Sequence, residues 1–301
     1  MNFRIGIDGG ATKTEGILVD AAGTVVAREL AGGCNPNVAG PDAARAVVAG
    51  VIAALRAHAT ARAPAAVVTH LHLYAAGNRS YWRETMAALG GGATVFTADD
   101  SHPVLELATD GAPGLVLHGG TGSFVAARAP DGSIHYAGGI GWRFGDPGSG
   151  YDLGRRAIGR GLLELQGWLP PSPVGAAVRD HTRLGPTADA GAVTRWYYQH
   201  AEANRQVAAL APALLALAGA AEPVATGLVA ASAGDLLEIA LGVAAKLFPG
   251  TPAASLRAGL SGPILQHPAV HASLRERAPF PLRPVEGAPI EGVRRLLVRA
   301  A

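Results

Sequence analysis

The sequence predicts an α/β protein with two related lobes, and three observations lead to this expectation. The chain has 301 residues, a length typical of two domains. Strand-like runs alternate with helical segments along it. A frame of strand, glycine turn, strand, hairpin and strand occurs at the N-terminus and again from Gly114. Such a repeat indicates two lobes that share one topology.

The first copy begins with the apolar strand Arg4–Asp8 and a turn at residues 9–12. Strand Glu15–Val19 follows, and a hairpin turn at residues 20–23 leads into strand Val25–Leu30. The periodicity of the next segments predicts a helix at Ala43–Ala61, a strand at His70–Ala75, a helix at Tyr81–Leu89, a strand at Thr94–Thr97 and a helix at Pro103–Thr109.

The second copy has strands at Gly114–His118, Ser123–Arg128 and Ser133–Tyr136, with a glycine turn at residues 119–122. The two glycine pairs lie 110 residues apart, and the hairpin glycine follows the second glycine of each pair after 13 or 12 residues. The remainder is predicted to be mostly helical, at Tyr151–Trp168, Ala188–Ala220, Pro223–Phe248 and Ile290–Val298, with an irregular segment at Pro279–Pro289.

Composition narrows the class of protein. With 49% apolar residues the chain can bury a large core, and with a net charge of +2 it shows no polybasic face for nucleic acid. The single cysteine, Cys34, excludes a disulfide within the chain and a CxxC metal site. We see neither a signal peptide nor an uninterrupted apolar run long enough to cross a membrane. We therefore expect a cytoplasmic protein without a membrane span.

The first glycine turn carries groups suited to phosphate binding. Glycines after a strand let backbone N–H groups approach phosphate oxygens. Asp8 at the strand end can hold Mg²⁺, Thr12 offers a hydroxyl and Lys13 a positive charge. An ordinary hairpin turn explains the glycines but not the lysine, which is one of two in the chain. The turn is no Walker A loop, because a strand rather than a helix follows.

Two further glycine-rich segments are candidates. The turn Gly119–Ser123 repeats the first motif, although an ordinary tight hairpin would have the same residue pattern. The segment Gly138–Gly154 has seven glycines in seventeen residues and presents Asp146 between Gly145 and Pro147. A flexible linker is the alternative there, but it would rarely carry so many aromatic residues.

Two adjacent acids, Asp99 and Asp100, follow a predicted strand. One of them suits a base that accepts a hydroxyl proton, and a helix N-cap is the competing interpretation. The turn Leu260–Pro263 could contact a nucleoside, and it is equally consistent with a plain loop. Asn35 suits a polar ligand or a turn.

Taken in order, the motifs DGGATKT, GGTGS and GDPGSGYDLG resemble the sugar kinase/Hsp70/actin superfamily. More narrowly they resemble the BadF/BadG/BcrA/BcrD ATPase family and its N-acetylglucosamine and glucosamine kinases. The resemblance implies an actin-like ATPase fold: two ribonuclease H-like lobes with an ATP cleft between them. It places the lobes at residues 1–112 and 113–301, with the last helix, about 290–301, packing back on the N-terminal lobe.

The resemblance also implies site residues, together with ATP and Mg²⁺. Its phosphate and adenosine motifs fall on Asp8, Gly9, Gly10, Thr12, Lys13, Gly120, Thr121, Gly122, Ser261 and Gly262. Asp100 falls on the catalytic aspartate, and the preceding Asp99 leaves the register open by one residue. Sugar contacts fall on Asn35, Asp100, Gly139, Ile140, Gly141 and Asp146. Asp8 would hold Mg²⁺ through water.

At two positions of the sugar site this sequence differs from the relatives that it resembles. Pro147 stands where the family has Glu, and Ile140 where the hexosamine kinases have Trp. The resemblance thus predicts an ATP-dependent kinase for N-acetylglucosamine, glucosamine or a related hexose, with a homodimer as the expected assembly. The alternatives are an ATPase that activates a partner enzyme and a catalytically inactive sugar-binding protein.

Overall fold

The computed structural model describes residues 1–300. In chain order its strands are β1 (Asn2–Gly9), β2 (Lys13–Asp20), β3 (Val25–Gly32), β4 (Val67–Ala75), β5 (Thr94–Ala98), β6 (Gly114–Gly119), β7 (Ser123–Arg128), β8 (Ile134–Gly138), β9 (Ala258–Ser261) and β10 (Leu282–Pro284). Its helices are α1 (Pro36–Ala39), α2 (Pro41–Arg62), α3 (Arg79–Leu89), α4 (Ser101–Thr109), α5 (Gly150–Leu165), α6 (Pro173–Thr182), α7 (Ala190–Gln199), α8 (Ala203–Ala208), α9 (Ala211–Gly219), α10 (Pro223–Leu247), α11 (Pro268–Arg277) and α12 (Pro289–Arg299).

The chain divides into two units, each built on a five-stranded sheet. Unit 1 comprises Met1–Gly111 and the C-terminal segment that begins at Glu286, and unit 2 comprises Ala112–Val285. The strand order is β3-β2-β1-β4-β5 in unit 1 and β8-β7-β6-β9-β10 in unit 2. In both units the first strand pairs antiparallel with the second and parallel with the fourth. This shared topology confirms the predicted α/β class with two related lobes.

Helices cover both faces of the sheet in unit 1. Side chains alternate along β1, so Ile5 and Ile7 pack with Leu55 of α2 while the intervening Gly6 faces α12. On the α12 side, Val293 and Leu297 join Ile17 and Val19 of β2, among others, in a second buried cluster. A side chain at Gly6 would overlap Val293 and Leu297, so the glycine lets α12 lie close to the sheet. This packing holds the end of β1, which carries Asp8.

In unit 2 the long helix α10 packs on the central strands. Leu117 of β6 and Val125 of β7 are fully buried together with Val229, Ala233 and Leu236 of α10. Helices α5 to α9 stand between β8 and β9 in the chain and extend the same core. The glycine turn between β6 and β7 is thereby anchored on a rigid sheet.

Helices α2 and α10 are long and apolar enough to cross a membrane by length and composition alone. Each has an apolar face buried in the core of its own unit, in the clusters that contain Leu55 and Leu236 respectively. Packing in a core therefore accounts for their composition, and the expectation of no membrane span stays a prediction.

Two local predictions were wrong. The stretch Ala188–Ala220 is not one helical segment but three helices, α7 to α9. Pro212 stands in the first turn of α9, where its missing N–H costs nothing, whereas it would break the interior of a continuous helix. The segment Pro279–Pro289 was expected to be irregular, yet its residues Leu282–Pro284 form the edge strand β10 beside β9. An edge position tolerates proline in a strand, which hid this one.

Candidate functional site

Unit 1 gathers polar residues at one edge of its sheet. Strands β1, β4 and β5 run parallel, with Asp8 beside Tyr74 and Tyr74 beside Ala98. The residues that follow these strands therefore lie at the same edge. Asp8 is the penultimate residue of β1, and Asp100 follows the end of β5 by two positions. The topology thus brings together two carboxylates that are 92 residues apart in the chain.

The Asp8 carboxyl lies in a poorly solvated, negatively charged environment. Burial raises the pKa of Asp8 to about 7, and the charges of Asp100 and Glu15 add to the rise. Lys13 opposes the shift without cancelling it. A positive charge near Asp8 would offset both the lost hydration and the repulsion, so the carboxylate suits a cation that arrives with further ligands of its own.

The adjacent acids Asp99 and Asp100 have different surroundings. Asp99 is paired with the guanidinium of Arg79, whose Nε lies 2.8 Å from Oδ1. Asp100 precedes α4 at the N-cap position, but its side chain makes no capping hydrogen bond. Burial, with the charge of Asp99 as a second cause, raises the pKa of Asp100 to about 6. Asp100 therefore lacks the strong partner that Asp99 has, and it titrates close to neutral pH.

The first glycine turn is closed by its own backbone. The N–H of Gly10 donates to the carbonyl of Lys13 at 2.8 Å, and the Gly10 carbonyl accepts from Cys34 at 3.0 Å. Ala11 and Thr12 lie exposed at the tip. The Lys13 ammonium lies 2.6 Å from Glu15, which also binds Arg28. Gly9 lies against Cys34, where an added Cβ would come within 2.6 Å of the buried sulfur.

Asn35 lies at the same edge, directly after Cys34. Its Oδ1 accepts from the N–H of Asn37 at 2.9 Å and so caps α1. That oxygen also lies 3.1 Å from the position of a Cβ at Gly77, which follows β4. With Oδ1 engaged, Asn35 has its side-chain N–H groups to offer a ligand.

Unit 2 has the matching turn between β6 and β7. The N–H of Gly120 donates to the carbonyl of Gly122 at 2.8 Å, and Thr121 lies exposed at the tip. The Gly120 carbonyl accepts from the N–H of Gly150 at 2.8 Å, which joins the turn to the start of α5. The N-terminus of a helix carries partial positive charge, so it suits anions bound near this turn.

Asp146 is buried beside that turn. Its Oδ1 accepts from the N–H of Gly141 at 3.2 Å, and its Oδ2 lies 3.1 Å from the position of a Cβ at Gly122. Burial raises the pKa of Asp146 to about 6, and the charge of Asp152 adds to the rise. The glycine-rich segment therefore presents a carboxylate of near-neutral pKa next to the second turn.

The loop before Asp146 is open to solvent. Gly139 and Gly141 both have positive φ, which suits glycine. Between them Ile140 is 60% exposed. Pro147 accepts from the Ser123 hydroxyl through its carbonyl at 2.7 Å, so the backbone at this position ties the loop to β7.

His118 connects the second glycine turn with the turn after β9. Its Nδ1 lies 3.2 Å from the Ser261 hydroxyl, and its ring stacks on Phe124 at 4.7 Å. Burial lowers the pKa of His118 to about 4, so the imidazole is neutral at physiological pH. Gly262 has a φ of +84°, and a side chain there would collide with the carbonyl of Gly119. The two turns are thus packed directly against each other.

A pocket of about 480 Å³ extends from the glycine turn of unit 2. Thr121 and Gly150 line it, as do Pro263 and His267. Its full lining is Gly120, Thr121, Gly150, Ala208, Ala211, Pro212, Leu215, Ala216, Pro263, Ile264 and His267. Ser261 and Gly262 do not line it; they support the turn that does. The wall from α8 and α9 could not be predicted, because small apolar helix residues look like ordinary core.

Comparison with known proteins now identifies the family. The model of the BadF/BadG/BcrA/BcrD ATPase family matches residues 5–270. The chain belongs to this family. A search of curated protein sequences finds no match.

Solved structures of similar fold include two proposed N-acetylglucosamine kinases. One, from Chromobacterium violaceum, is 28% identical with a TM-score of 0.77, and the alignment covers 98% of each chain. The other, from Porphyromonas gingivalis, is 20% identical with a TM-score of 0.72, again over 98% of each chain. A glucokinase of the ROK family from Streptomyces griseus, in complex with glucose and AMPPNP, is 13% identical with a TM-score of 0.52 over 99% of this chain and all of that one. These likenesses confirm the expected actin-like, ribonuclease H-like fold class.

Proposed function

We propose that this protein is an ATP-dependent kinase that phosphorylates a hydroxyl of a sugar. The observation that carries the proposal is the 480 Å³ pocket in unit 2, which begins at the Thr121 turn. Its apolar walls suit a nucleoside, and the glycine turn at its side suits the attached phosphates. Membership of an ATPase family and the likeness to proposed N-acetylglucosamine kinases support the same assignment.

In this proposal each glycine turn supplies groups that bind phosphate oxygens of the nucleotide. The backbone around Thr121 and the start of α5 receive phosphate oxygens, and Pro263 and Ile264 contact the adenosine. Ser261 and Gly262 position that second turn through His118 and Gly119. In unit 1 the phosphate oxygens are bound by Gly9, Gly10, Thr12 and Lys13. The Lys13 ammonium gives up its ion pair with Glu15 to bind the phosphate.

The residues of unit 1 fit a magnesium ion that arrives with ATP. Mg²⁺ usually keeps several waters and takes one or two carboxylates plus the phosphates of its nucleotide. Asp8 supplies such a carboxylate, and its raised pKa shows that a nearby positive charge would stabilise it. The described residues contain no cluster of three or more His, Cys, Asp and Glu side chains able to hold a metal without the nucleotide. The bound ion would neutralise charge on the phosphates.

Asp100 is the proposed catalytic base. It accepts the proton of the sugar hydroxyl as that oxygen forms its bond to the γ-phosphorus, while the bond from phosphorus to the ADP oxygen breaks. Its pKa of about 6 keeps it ionised at neutral pH yet basic enough to take the proton. Asp99 is engaged by Arg79 and is less suited to the role.

The sugar is assigned to Asn35 in unit 1 and to Gly139, Ile140, Gly141 and Asp146 in unit 2. The buried Asp146 carboxylate and the Asn35 amide can each bind ring hydroxyls. N-acetylglucosamine, glucosamine and related hexoses are the candidate acceptors. Ile140, exposed where the hexosamine kinases have Trp, removes an aromatic surface from this site.

The structure offers little support for an ATPase that activates a partner through a shared iron–sulfur cluster. Such a cluster normally takes four thiolates, and two copies of this chain would supply two. Cys34 is moreover fully buried against Gly9. A purified protein that contains iron and sulfide would revive this alternative.

A panel assay tests the proposal. ADP release is measured with N-acetylglucosamine, glucosamine, glucose and other hexoses, each against a control without sugar. We expect at least one sugar to raise ADP release well above the control. ADP release that no sugar stimulates would refute the kinase assignment, and sugar binding without any turnover would point to an inactive binding protein.

Replacing Gly262 by alanine is expected to weaken ADP binding at least about tenfold, because the new side chain strains a left-handed residue and collides with the Gly119 carbonyl. Calorimetric titration with ADP gives the measurement. Gly242→Ala is the matched control, since this glycine of α10 has open space around its Cβ position. Equal affinity in both variants would contradict the role of the turn.

The pH profile of kcat/KM is expected to show an acidic limb. Asp100 must be ionised to accept a proton, and its pKa is raised to about 6, so activity falls about tenfold per pH unit below that value. Asp99→Asn removes a charge that raises the pKa of Asp100, so the limb should move to lower pH in this variant. A profile that stays flat from pH 8 to pH 5 would exclude Asp100 as the base.

A further inference from the structure

A second pocket of unit 2 lies beside the proposed sugar carboxylate. Its volume is about 530 Å³, and it is lined by Trp142, Arg143, Phe144, Gly145, Tyr151 and Arg155. Four of these residues form the segment between Gly141 and Asp146, the two residues joined by the 3.2 Å hydrogen bond. The pocket is therefore formed in large part by the loop that ends at Asp146.

The loop and the first turns of α5 form the two sides of this pocket. Tyr151 and Arg155 are four residues apart and so project from the same face of α5. Trp142 packs on Tyr151 with ring centroids 5.5 Å apart, which holds the loop against the helix. The N–H of Phe144 donates to the carbonyl of Gly141 at 3.0 Å and adds a turn to the loop. The side chains are thus arranged on a defined backbone.

The lining combines aromatic rings with two guanidinium groups and contains no carboxylate. Arg143 lies over the Trp142 ring, 5.1 Å from its centroid, which leaves the edge of the guanidinium available to a ligand. Arg155 contacts Asp152 through one nitrogen, at 2.7 Å, and its side chain remains 57% exposed. Phe144 is 79% exposed, unusually so for a large apolar side chain. These exposed groups have no function in the kinase site described above.

We infer that this pocket binds an anionic, carboxylate-bearing substituent of the sugar acceptor. The inference rests on the proposed sugar kinase function. A sugar whose hydroxyls meet Asp146 would direct a substituent outward along the loop to Arg143 and Arg155. Guanidinium groups bind carboxylates in a planar, two-pronged geometry, and the rings of Trp142 and Phe144 cover the apolar part of the substituent. The preferred acceptor is then an acidic sugar rather than a plain hexose.

The test compares matched ligands. Hexosamines carrying a carboxymethyl ether at one ring hydroxyl are compared with their uncharged carboxamidomethyl isosteres and with aryl glycosides. Binding is measured by calorimetry, and turnover by ADP release. We expect the charged ether at one position to bind at least about fivefold more tightly than its neutral isostere, as one partly exposed charge pair would provide.

Three variants assign that preference to the pocket. Arg143→Ala and Arg155→Ala are each expected to remove most of the difference between the charged and neutral ligands. Arg195→Ala removes an exposed arginine of α7 elsewhere in unit 2 and should leave the difference intact. Because the ratio compares two ligands on one protein, general loss of folding or of nucleotide binding does not imitate the effect.

The outcomes separate this inference from the proposed function. A charge preference in binding without turnover supports the pocket and overturns the kinase. Turnover of neutral sugars with no charge preference, or with a preference that survives both arginine variants, overturns the inference alone. Preference for uncharged aryl glycosides would make the pocket an aromatic subsite and also overturn it, as would the absence of binding by every ligand.

Discussion

Asp100→Asn is expected to lower kcat about 10²-fold or more while sugar and ATP still bind. The amide keeps the size of the carboxyl but cannot accept the hydroxyl proton. Asp100 is half-buried at the edge of the sheet in unit 1 and makes no capping hydrogen bond, so the substitution removes little that stabilises the fold. Steady-state ADP release, with calorimetric affinities for both ligands, gives the measurement.

Asp99→Asn is the matched control for that experiment. It changes the adjacent carboxylate, which pairs with Arg79 on the protein surface. We expect its kcat at pH 8 to remain within about threefold of the wild type, since an exposed ion pair contributes little. The reverse pattern, with full turnover in the Asp100 variant and loss in the Asp99 variant, would shift the assignment of the base by one residue.

Asp8→Asn is expected to have opposite effects on activity and on stability. Activity should fall about 10²-fold, because the carboxylate that orients the hydrated magnesium ion is lost. The free energy of unfolding should rise by about 2 kcal/mol at pH 8, because the variant no longer buries a charge beside Asp100 and Glu15. Replacing an active-site carboxylate would then stabilise the folded protein.

The pH dependence of that stability gain follows from the sign of the shift. The pKa of Asp8 is about 7 in the folded chain and 3.8 for an unperturbed aspartate, so the folded state resists ionisation. The associated cost is absent below pH 4, grows as the pH rises and is complete above pH 7. Thermal and urea unfolding of both proteins at pH 8 and pH 5 should show a larger gain at pH 8. Asp42→Asn, at an exposed carboxylate of α2, should show no such trend.

The two-lobed fold could be predicted because its evidence is local and repeated. The glycine turns at Asp8 and Gly119 each follow a strand and precede a hairpin, and the structure places both frames in sheets of the same order. Strand β10 was missed because its three residues, the last of which is Pro284, are too few to show a period, and it pairs only with β9. Likewise the breaks among α7, α8 and α9 depend on how each helix packs in unit 2.

The candidate site was less accessible to sequence reasoning. The residue pattern alone did not decide between Asp99 and Asp100, and the resemblance favoured Asp100 with the register open by one residue. The contact that distinguishes them, between Arg79 and Asp99, joins residues twenty positions apart. No local pattern distinguishes His118, and its hydrogen bond to Ser261 spans 143 residues. The pocket wall from Ala208 to Ala216 has no motif at all. Local patterns indicated the turns, whereas long-range packing decides which side chains support them.

The central claim is that the γ-phosphoryl group of ATP is transferred to a sugar. The most direct measurement follows ADP and phosphorylated sugar together, by coupled assay and mass spectrometry, in wild type and Asp100→Asn. We predict one sugar phosphate for each ADP in the wild type and strongly reduced amounts of both products in the variant. ADP and inorganic phosphate without sugar phosphate, at a rate that Asp100→Asn does not change, would contradict the account.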